Sequence, residues 1–166
     1  MSYPVTVRRT WIPATLAGIR TTLEAMASLA REGAADPLVR DLAGWLMEGE
    51  RWPALALRDW LADRWVMVED PWDVELLSAP ALQLDRWLQY PSRGLRGDCD
   101  DLAVLGAALA LAGGLPARYC AVITGLGPIP DHVFVDVLEP PGVWVELDIM
   151  RPADGAPAIQ ELTLIL

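Results

Sequence analysis

The stretch from Cys99 to Ala112 is apolar on every side after its first turn, and a helix of that kind has no face that it can turn to water. Asp98 stands directly before the stretch as an N-cap residue, and Gly113-Gly114 follows it as a helix end. The sequence therefore predicts a buried central helix that the rest of the chain covers.

The two halves of the chain around this helix have different periodicities. The first half predicts a short extended start at Val5 to Arg9. It also predicts four helices, at Pro13 to Arg31, from the cap residue Asp36 to Leu46, at Ala54 to Val66 and at Pro80 to Trp87. The second half predicts three strands and an edge strand, at Ala117 to Thr124, Asp131 to Leu138, Val143 to Ile149 and Gln160 to Leu166. Helices, then a buried helix, then an antiparallel β-meander predict an α+β fold. No linker or repeat divides the chain, so residues 1–166 are expected to form a single domain.

The composition of the chain disfavours some classes of binding partner and indicates the cellular compartment. The chain has 166 residues, of which 53% are hydrophobic, and this is enough for one domain with its own core. Its formal net charge of -10 disfavours nucleic acid and anionic membranes as partners. The charge-free run from Leu102 to Ala117 is shorter than the roughly 20 residues that a membrane helix needs. Two cysteines cannot form a disulfide framework, and the start of the chain lacks an unbroken apolar signal region, so we expect a cytoplasmic protein.

Cys99 lies in the sequence Gly97-Asp98-Cys99-Asp100-Asp101, at the start of the buried helix. The positive end of the helix dipole and the free N–H groups of the first turn favour a thiolate there, which is the reactive form of cysteine. The alternative is a small buried core cysteine, and the capped position argues against it. Cys120, in the first predicted strand, is expected to serve packing.

The aspartates around Cys99 can also be interpreted as metal ligands. Helix capping and complementation of the dipole explain Asp98, Asp100 and Asp101 more simply. One cysteine with three aspartates is also a poor match to common metal sites. We therefore expect no metal and no cofactor.

The only histidine, His132, lies near the start of a predicted strand. Alternation places His132 and Asp136 on the face opposite a valine-rich row, and it places Asp148 on the corresponding face of the next strand. If the hairpin is centred on Pro140, His132 lies directly opposite Asp148 and Asp136 lies opposite Trp144. A loop of three or five residues gives this pairing, and both lengths are common.

A thiolate at a helix N-terminus, a histidine that exchanges its proton and a carboxylate that orients the histidine make a triad for cysteine hydrolysis or acyl transfer. The chain contains no asparagine, so the third member must be a carboxylate. Cys99, His132 and Asp148 are therefore the candidate catalytic residues.

These motifs in this order resemble the transglutaminase-like superfamily. The resemblance covers most of the chain and is carried by four boxes, at Gly97 to Asp101, Ala112 to Arg118, Asp131 to Val135 and Trp144 to Asp148. It is strongest to the transglutaminase-like proteins of tailed phages and prophages, which share an upstream stretch seen here as Asp70-Pro71, Glu75 and Pro80. The resemblance implies a papain-like core in which Cys99 is the nucleophile, His132 the base and Asp148 the residue that orients the base.

The resemblance also implies an oxyanion hole made of the nucleophile's own N–H and a second donor ahead of it in the chain. Gln89 is the first candidate for that donor, with Tyr90 and Trp87 beside it, although all three are equally compatible with ordinary helix and loop positions. Trp144 is the candidate for a substrate-binding residue at the border of the site.

The leading functional interpretation is a cysteine peptidase or amidase that acts on a protein or peptide substrate through a thioester acyl-enzyme. The first alternative is a protein-crosslinking transglutaminase, although the chain has no lysine with which to crosslink itself. The second alternative is a structural or assembly module of a phage particle with a vestigial triad, whose partners would be other phage structural proteins. We expect the protein in the cytoplasm of a bacterial host or incorporated in a virion.

Overall fold

The structure is a computed structural model and describes residues 15–71, 76–124, 128–150 and 161–166. The helices in these ranges are α1 (Leu16–Ala34), α2 (Pro37–Met47), α3 (Pro53–Arg64), α4 (Pro80–Gln89) and α5 (Cys99–Ala112), with a 3-10 turn at Pro91–Arg93. The strands are β1 (Trp65–Met67), β2 (Leu95–Gly97), β3 (Ala117–Val122), β4 (His132–Glu139), β5 (Val143–Glu146) and β6 (Glu161–Ile165).

The α+β architecture predicted from the sequence is confirmed. Strands β3 to β6 form one antiparallel sheet in the order β5-β4-β3-β6. Helix α5 packs against this sheet through β4 and against α1, α2 and α3 on its other sides. Every residue from Asp100 to Ala110 is buried. Helix α5 is therefore the central core helix that its apolar sequence predicts.

Local sequence signals explain where two of the helices begin. Asp36 Oδ1 accepts a hydrogen bond from the N–H of Leu38 at 2.8 Å at the start of α2. Asp98 Oδ1 accepts from the N–H groups of Asp100 and Asp101 at 3.2 and 3.3 Å at the start of α5. Each side chain satisfies backbone donors that have no partner within the helix, and both predicted caps are confirmed.

Helix α3 takes its cap from a distant part of the chain. Trp52, at its N-terminus, makes no capping hydrogen bond with its side chain. Glu139, the last residue of β4, instead accepts from the N–H of Ala54 through Oε2 at 2.6 Å, although 85 residues separate the two in sequence. Glu139 is fully buried, and its charge meets the positive end of the α3 dipole. This contact joins the start of α3 to the end of β4.

Two short strands were not predicted. Strand β1 pairs with β2 in parallel, from Trp65 against Leu95 to Met67 against Gly97. Three residues are too few to show an alternating pattern, and β1 takes the place of the predicted end of the third helix, which stops at Arg64 rather than Val66. The pair bears on the site because β2 leads directly into the helix that begins at Cys99.

The predicted register of the hairpin between β4 and β5 is wrong by two residues. Asp136 pairs with Glu146 and not with Trp144, so the hairpin is centred on Pro141 rather than Pro140. The reason is Gly142, whose φ of 128° belongs to a turn, so the glycine is part of the loop and not of β5. A shift of two residues leaves every side chain on its predicted face, because alternation has a period of two.

Other predicted boundaries shift by a few residues. Helix α4 continues to Gln89 instead of ending at Trp87, and β5 ends at Glu146 rather than Ile149. Strand β6 lies at the sheet edge, as predicted for the tail, and pairs with β3. The predicted extended start at Val5 to Arg9 lies outside the described residues. Across the described ranges, no helix combines the length and the apolar character needed to cross a membrane.

Candidate functional site

Cys99 is the first residue of α5 and is half-buried where that helix meets the start of β4. Its Sγ donates a hydrogen bond to Asp100 Oδ1 at 3.3 Å. The backbone N–H of Val133 donates to the same sulfur. Val133 follows His132 directly, so this contact brings the thiol beside the histidine-bearing end of β4.

The predicted thiolate at Cys99 is not what the electrostatics of the site favour. Burial raises the pKa of the Cys99 thiol well above its ordinary value, and the carboxylates of Asp100 and Asp98 raise that pKa further. The N–H of Val133 lowers the pKa but does not offset the other effects. The helix dipole favours the thiolate and the adjacent aspartates, which are visible in the sequence, oppose it, while the folded structure adds desolvation as the largest effect. These effects favour the protonated thiol.

His132 and Asp148 form a close pair at the opening of the hairpin. Asp148 Oδ2 lies 2.6 Å from His132 Nε2, and the two side chains are 1% and 13% exposed. The second carboxylate oxygen, Oδ1, accepts from the N–H of Met150 at 2.9 Å. A carboxylate can only accept hydrogen bonds, so Nε2 is the donor in this pair and Nδ1 takes no part in the contact.

The corrected register explains how this pair is built. Leu147 donates from its N–H to the carbonyl oxygen of Val135 at 2.9 Å, which extends the β4–β5 pairing past the end of β5. Asp148 therefore lies diagonally across from His132 rather than directly opposite. Diagonal neighbours on one sheet face remain within reach of long or aromatic side chains. The imidazole also packs at a tilt against Phe134, with ring centroids 6.2 Å apart.

The structure does not bring the amide of Gln89 to the thiol. Gln89 is exposed on α4, and its Nε2 donates to Asp85 of the same helix at 2.8 Å. The two neighbouring candidates also have other contacts: Tyr90 lies under the guanidinium of Arg93, and Trp87 packs edge-on against Trp60. Spacing of three and four residues along a helix favours such local contacts, and that spacing explains the Gln89–Asp85 bond.

Trp144 lies far from the histidine, contrary to the expectation that it borders the site. Trp144 pairs with Leu138, six residues along β4 from His132, and this corresponds to about 20 Å in an extended strand. The guanidinium of Arg118 stacks over its ring at 4.4 Å and also binds Asp136 at 2.8 Å. The tryptophan shares the sheet face of His132 but belongs to the opposite end of the hairpin.

A buried polar network under the thiol was missed at the sequence level. Asp101 is 5% exposed, and its Oδ1 accepts from the N–H of Ser78 at 2.7 Å. Gln83 donates through Nε2 to the carbonyl oxygens of Ser78 and Asp101 at 3.1 and 3.2 Å. A Cβ on Gly97 would collide with the Asp101 side chain, so the glycine of the Gly-Asp-Cys-Asp-Asp box is required by this packing. In the sequence, the glycine directly before the cap residue Asp98 is the feature that indicates close packing at this point.

The buried carboxyl of Asp101 has a shifted titration. Burial and the charges of Asp98 and Asp70 raise its pKa to about 7, while the N–H of Ser78 opposes the shift. The folded protein then holds this proton more tightly than the unfolded chain does. The stabilising contribution is fully present below the ordinary pKa of 3.8 and is lost as the pH rises through about 7.

Asp101→Asn should therefore remove a pH dependence of stability. An asparagine keeps the acceptor for Ser78 but cannot ionise, so the loss of roughly 2 to 4 kcal/mol of unfolding free energy expected from Asp101 between about pH 4 and pH 7 should disappear. Urea unfolding at several pH values measures it. Asp41→Asn, at an exposed position of α2, is the matched control and should keep the wild-type slope. An unchanged slope in Asp101→Asn would contradict the shifted titration.

A metal site would need several histidine, cysteine or acidic side chains close together. No group of three or more histidine, cysteine, aspartate or glutamate side chains within residues 15–71, 76–124, 128–150 and 161–166 is arranged to hold a metal ion. Asp98 caps α5, Asp100 accepts from the thiol and Asp101 accepts from Ser78, so the three aspartates of the box have separate roles.

Comparison with solved structures finds similar folds. The structure resembles a protein from Cytophaga hutchinsonii named "Putative Cysteine Protease", with a TM-score of 0.53 and 22% sequence identity over 77% of this chain and 45% of that one. It also resembles a "putative protease" from Parabacteroides distasonis, with a TM-score of 0.52 and 12% identity over 79% of this chain and 32% of that one. The chain thus spans less than half the length of either protein. No curated protein matches the sequence.

A family model covers more than half of the chain. Residues 53–149 match the core of the transglutaminase-like superfamily, from the first residue of α3 to the residue after Asp148. The matched segment contains Cys99 at the start of α5, His132 at the start of β4 and Asp148 beyond β5. The chain therefore belongs to the transglutaminase-like superfamily.

Proposed function

We propose that the protein is a thiol-dependent hydrolase of amide bonds, of the cysteine peptidase or amidase type, with a peptide or protein substrate. Cys99 is the nucleophile, His132 the general base and Asp148 the carboxylate that orients the base. The observation that carries the proposal is the pair of contacts at the start of β4: His132 Nε2 on Asp148 at 2.6 Å, and the N–H of the next residue, Val133, on Cys99 Sγ. These two contacts support grouping a nucleophile, a base and an orienting carboxylate for acyl transfer.

The proposed reaction has two acyl-transfer steps. The sulfur of Cys99 attacks the carbonyl carbon of the amide while Nδ1 of His132 takes the thiol proton. The C–N bond then breaks, the amine leaves with the proton from Nδ1, and a thioester remains on Cys99. Water attacks the thioester and gives its proton to His132, which returns it to the sulfur as the acid product leaves. Asp148 stabilises the imidazolium in both steps without taking its proton.

The raised pKa of the thiol determines when the proton moves. In the resting site the thiol is neutral and donates to Asp100. A raised thiol pKa disfavours a preformed thiolate, so we expect proton transfer to His132 to accompany the attack on substrate. The oxyanion that forms is supported by the α5 N-terminus, because the Asp98 cap uses the N–H groups of Asp100 and Asp101 and not that of Cys99.

Iodoacetamide labelling tests the proposed nucleophile. Cys99 is partly exposed and Cys120 has no exposed surface, so we expect Cys99 to be alkylated at least about tenfold faster in the folded protein. Because its pKa is raised, the rate at Cys99 should still increase with pH through and above the ordinary thiol range near about 8.5 instead of levelling off at neutral pH. Peptide mapping by mass spectrometry gives both rates.

Cys99→Ala and Cys120→Ala are the paired controls for this labelling. Removing Cys99 should remove the fast site, and removing Cys120 should leave it. Equal rates at the two cysteines, or a faster Cys120, would contradict the assignment of Cys99 as nucleophile.

Two other functions predicted from the sequence differ from this proposal in their acceptor or partner. In a crosslinking enzyme an amine would replace water in the second step, and the same thioester would form. In a phage assembly module the triad would be vestigial and Cys99 would have no acyl-transfer role. Acyl transfer to water, to an added amine or to neither distinguishes the three functions in one assay.

A further inference from the structure

A pocket of about 280 Å³ lies between the end of α4, the 3-10 turn and β2. Its wall contains three arginines, two aromatic residues and one amide: Arg86, Arg93, Arg96, Trp87, Tyr90 and Gln83. None of these residues has a part in the reaction proposed above, so the pocket needs its own explanation.

The charge of the pocket is opposite to that of the chain. The protein has a formal net charge of -10, yet Arg86, Arg93 and Arg96 converge here. All three are exposed, and within the described ranges none of them forms a salt bridge with a carboxylate. Three guanidinium groups around one concave space attract an anion, because each of them can hold a carboxylate or phosphate through paired N–H donors.

The aromatic residues fix the walls of the pocket. The guanidinium of Arg93 lies over the ring of Tyr90 at 4.7 Å, and this stacking orients the arginine. Trp87 is anchored by an edge-on contact with Trp60 at 5.5 Å between ring centroids. Rigid apolar walls next to charged groups suit a ligand that has a short hydrocarbon stem and an anionic end.

The amide of Gln83 connects the pocket wall to the first turn of α5. Gln83 is 5% exposed, and both hydrogen bonds of its Nε2 go to backbone carbonyls, one of which is that of Asp101. Its Oε1 is buried and accepts no hydrogen bond from the described part of the chain. A buried amide oxygen without a donor is uncommon in folded proteins, and an N–H group of a ligand is one partner that would satisfy it.

Strand β2 limits the distance between the pocket residue Arg96 and Cys99. Arg96 is the exposed middle residue of β2 and precedes Cys99 by three positions, so their Cα atoms are at most about 11 Å apart. An extended peptide advances about 3.3 Å per residue. A peptide whose carbonyl lies at Cys99 therefore reaches the pocket with a side chain two or three residues away.

We propose that this pocket binds the carboxylate of a glutamate or aspartate side chain of the substrate, so that the protein selects acidic peptides. This specificity rests on the proposed function. The arginines hold the carboxylate, and Tyr90 and Trp87 contact the methylene groups that lead to it. A phosphate group offers the same anionic chemistry, and the experiment separates the two sources.

Binding can be tested without any thiol chemistry. Two fluorescein-labelled peptides, identical except that one has glutamates where the other has glutamines, are titrated with the full-length Cys99→Ala variant, and fluorescence anisotropy is recorded. We expect the glutamate peptide to bind at least about tenfold more tightly at about 50 mM salt and to lose affinity at about 200 mM. Arg93→Gln and Arg96→Gln, made in the Cys99→Ala background, should each remove most of this preference.

Arg40→Gln is the matched control, since Arg40 is exposed on α2 and outside the pocket, and the preference should persist in that variant. Equal affinity for the two peptides would overturn the proposal, and so would an equal loss in Arg40→Gln, which would indicate attraction to general surface charge. Inorganic phosphate is added as a competitor. Acetate is added as a second competitor for comparison. If phosphate displaces the peptide at lower concentrations than acetate does, the pocket is a phosphate site and the carboxylate assignment is overturned.

A protection experiment connects the pocket to the thiol. In the wild-type protein the glutamate peptide should slow iodoacetamide labelling of Cys99, while the glutamine peptide should not. Binding of the glutamate peptide without protection of Cys99 would overturn its assignment as substrate. An unreactive Cys99 together with intact peptide preference would instead count against the proposed hydrolase, so the two failures are distinguishable.

Discussion

His132→Ala should abolish turnover and leave the fold intact. The chain has no second histidine that could take over proton transfer, and its neutral thiol depends on a base for activation. Loss of one member of a catalytic triad that acts as a unit costs roughly 10,000-fold to 1,000,000-fold in kcat. Release of a fluorescent amine from a peptide amide that the wild-type protein cleaves measures the rate, and a thermal melt measures the fold.

The double variant Cys99→Ala/His132→Ala extends this result. Since the two residues act in the same step, their combined loss should be little worse than either single loss. Losses that multiply would indicate that the two residues act in separate steps, and the proposed shared proton transfer would then be wrong. A large drop in melting temperature in His132→Ala would attribute its effect to folding instead.

Asp148→Asn should also cost a large factor in rate, about 10,000-fold, with only a small loss of stability. Asparagine keeps an oxygen for the N–H of Met150, but it offers an N–H group to His132 Nε2 where the carboxylate offered an acceptor. The imidazole then places its proton on Nδ1, and no basic nitrogen remains to accept the proton of Cys99. The same amide-cleavage assay measures the rate.

Asp136→Asn is the matched control for this change. Asp136 lies on the same sheet face in β4 and binds Arg118 at 2.8 Å, away from the thiol. Its replacement should reduce stability and spare the rate. If Asp148 were only a cross-strand contact, Asp148→Asn would behave like Asp136→Asn and cost on the order of 1 kcal/mol of stability or less. That outcome would exclude Asp148 from the reaction.

Features that depend on local sequence could be predicted. Helix α5 has the bounds expected from its apolar run, because Asp98 and Gly113 mark its ends chemically. The shared face of His132 and Asp148 was also predictable, since it depends only on alternation. The exact pairing of these residues was not predictable, because two registers that differ by two residues give the same faces. The conformation of Gly142 decides between the registers, and this conformation is a property of the folded turn.

Features that depend on packing could not be predicted in the same way. The pKa of Cys99 follows first from desolvation, which the order of residues does not show, and then from the charges of Asp100 and Asp98, which flank Cys99 in the sequence. The position of Gln89 ahead of Cys99 in the chain makes it a candidate donor, yet its amide donates to Asp85, one turn away on its own helix. Gln83, six residues earlier on α4, is the glutamine that faces the interior.

The segment that defines the family is not the whole of the folded unit. Residues 53–149 are closed into a loop by the Glu139 cap on α3, which ties the first helix of the match to its longest strand. Helices α1 and α2 lie before this segment and still supply one side of the cover over α5. Met26 is fully buried, and its carbonyl accepts a hydrogen bond from Tyr119 of β3 at 3.3 Å.

A fragment trimmed to the family match would therefore expose one flank of α5 to water. Such an apolar surface associates with other copies of the chain or aggregates. The side chain of Tyr119 lies within reach of the charges of Asp100, in the first turn of α5, and of Arg31, near the end of α1. The end of α1 therefore lies near the turn that begins with Cys99. Trimming the chain to the family match would remove part of the cover close to this turn.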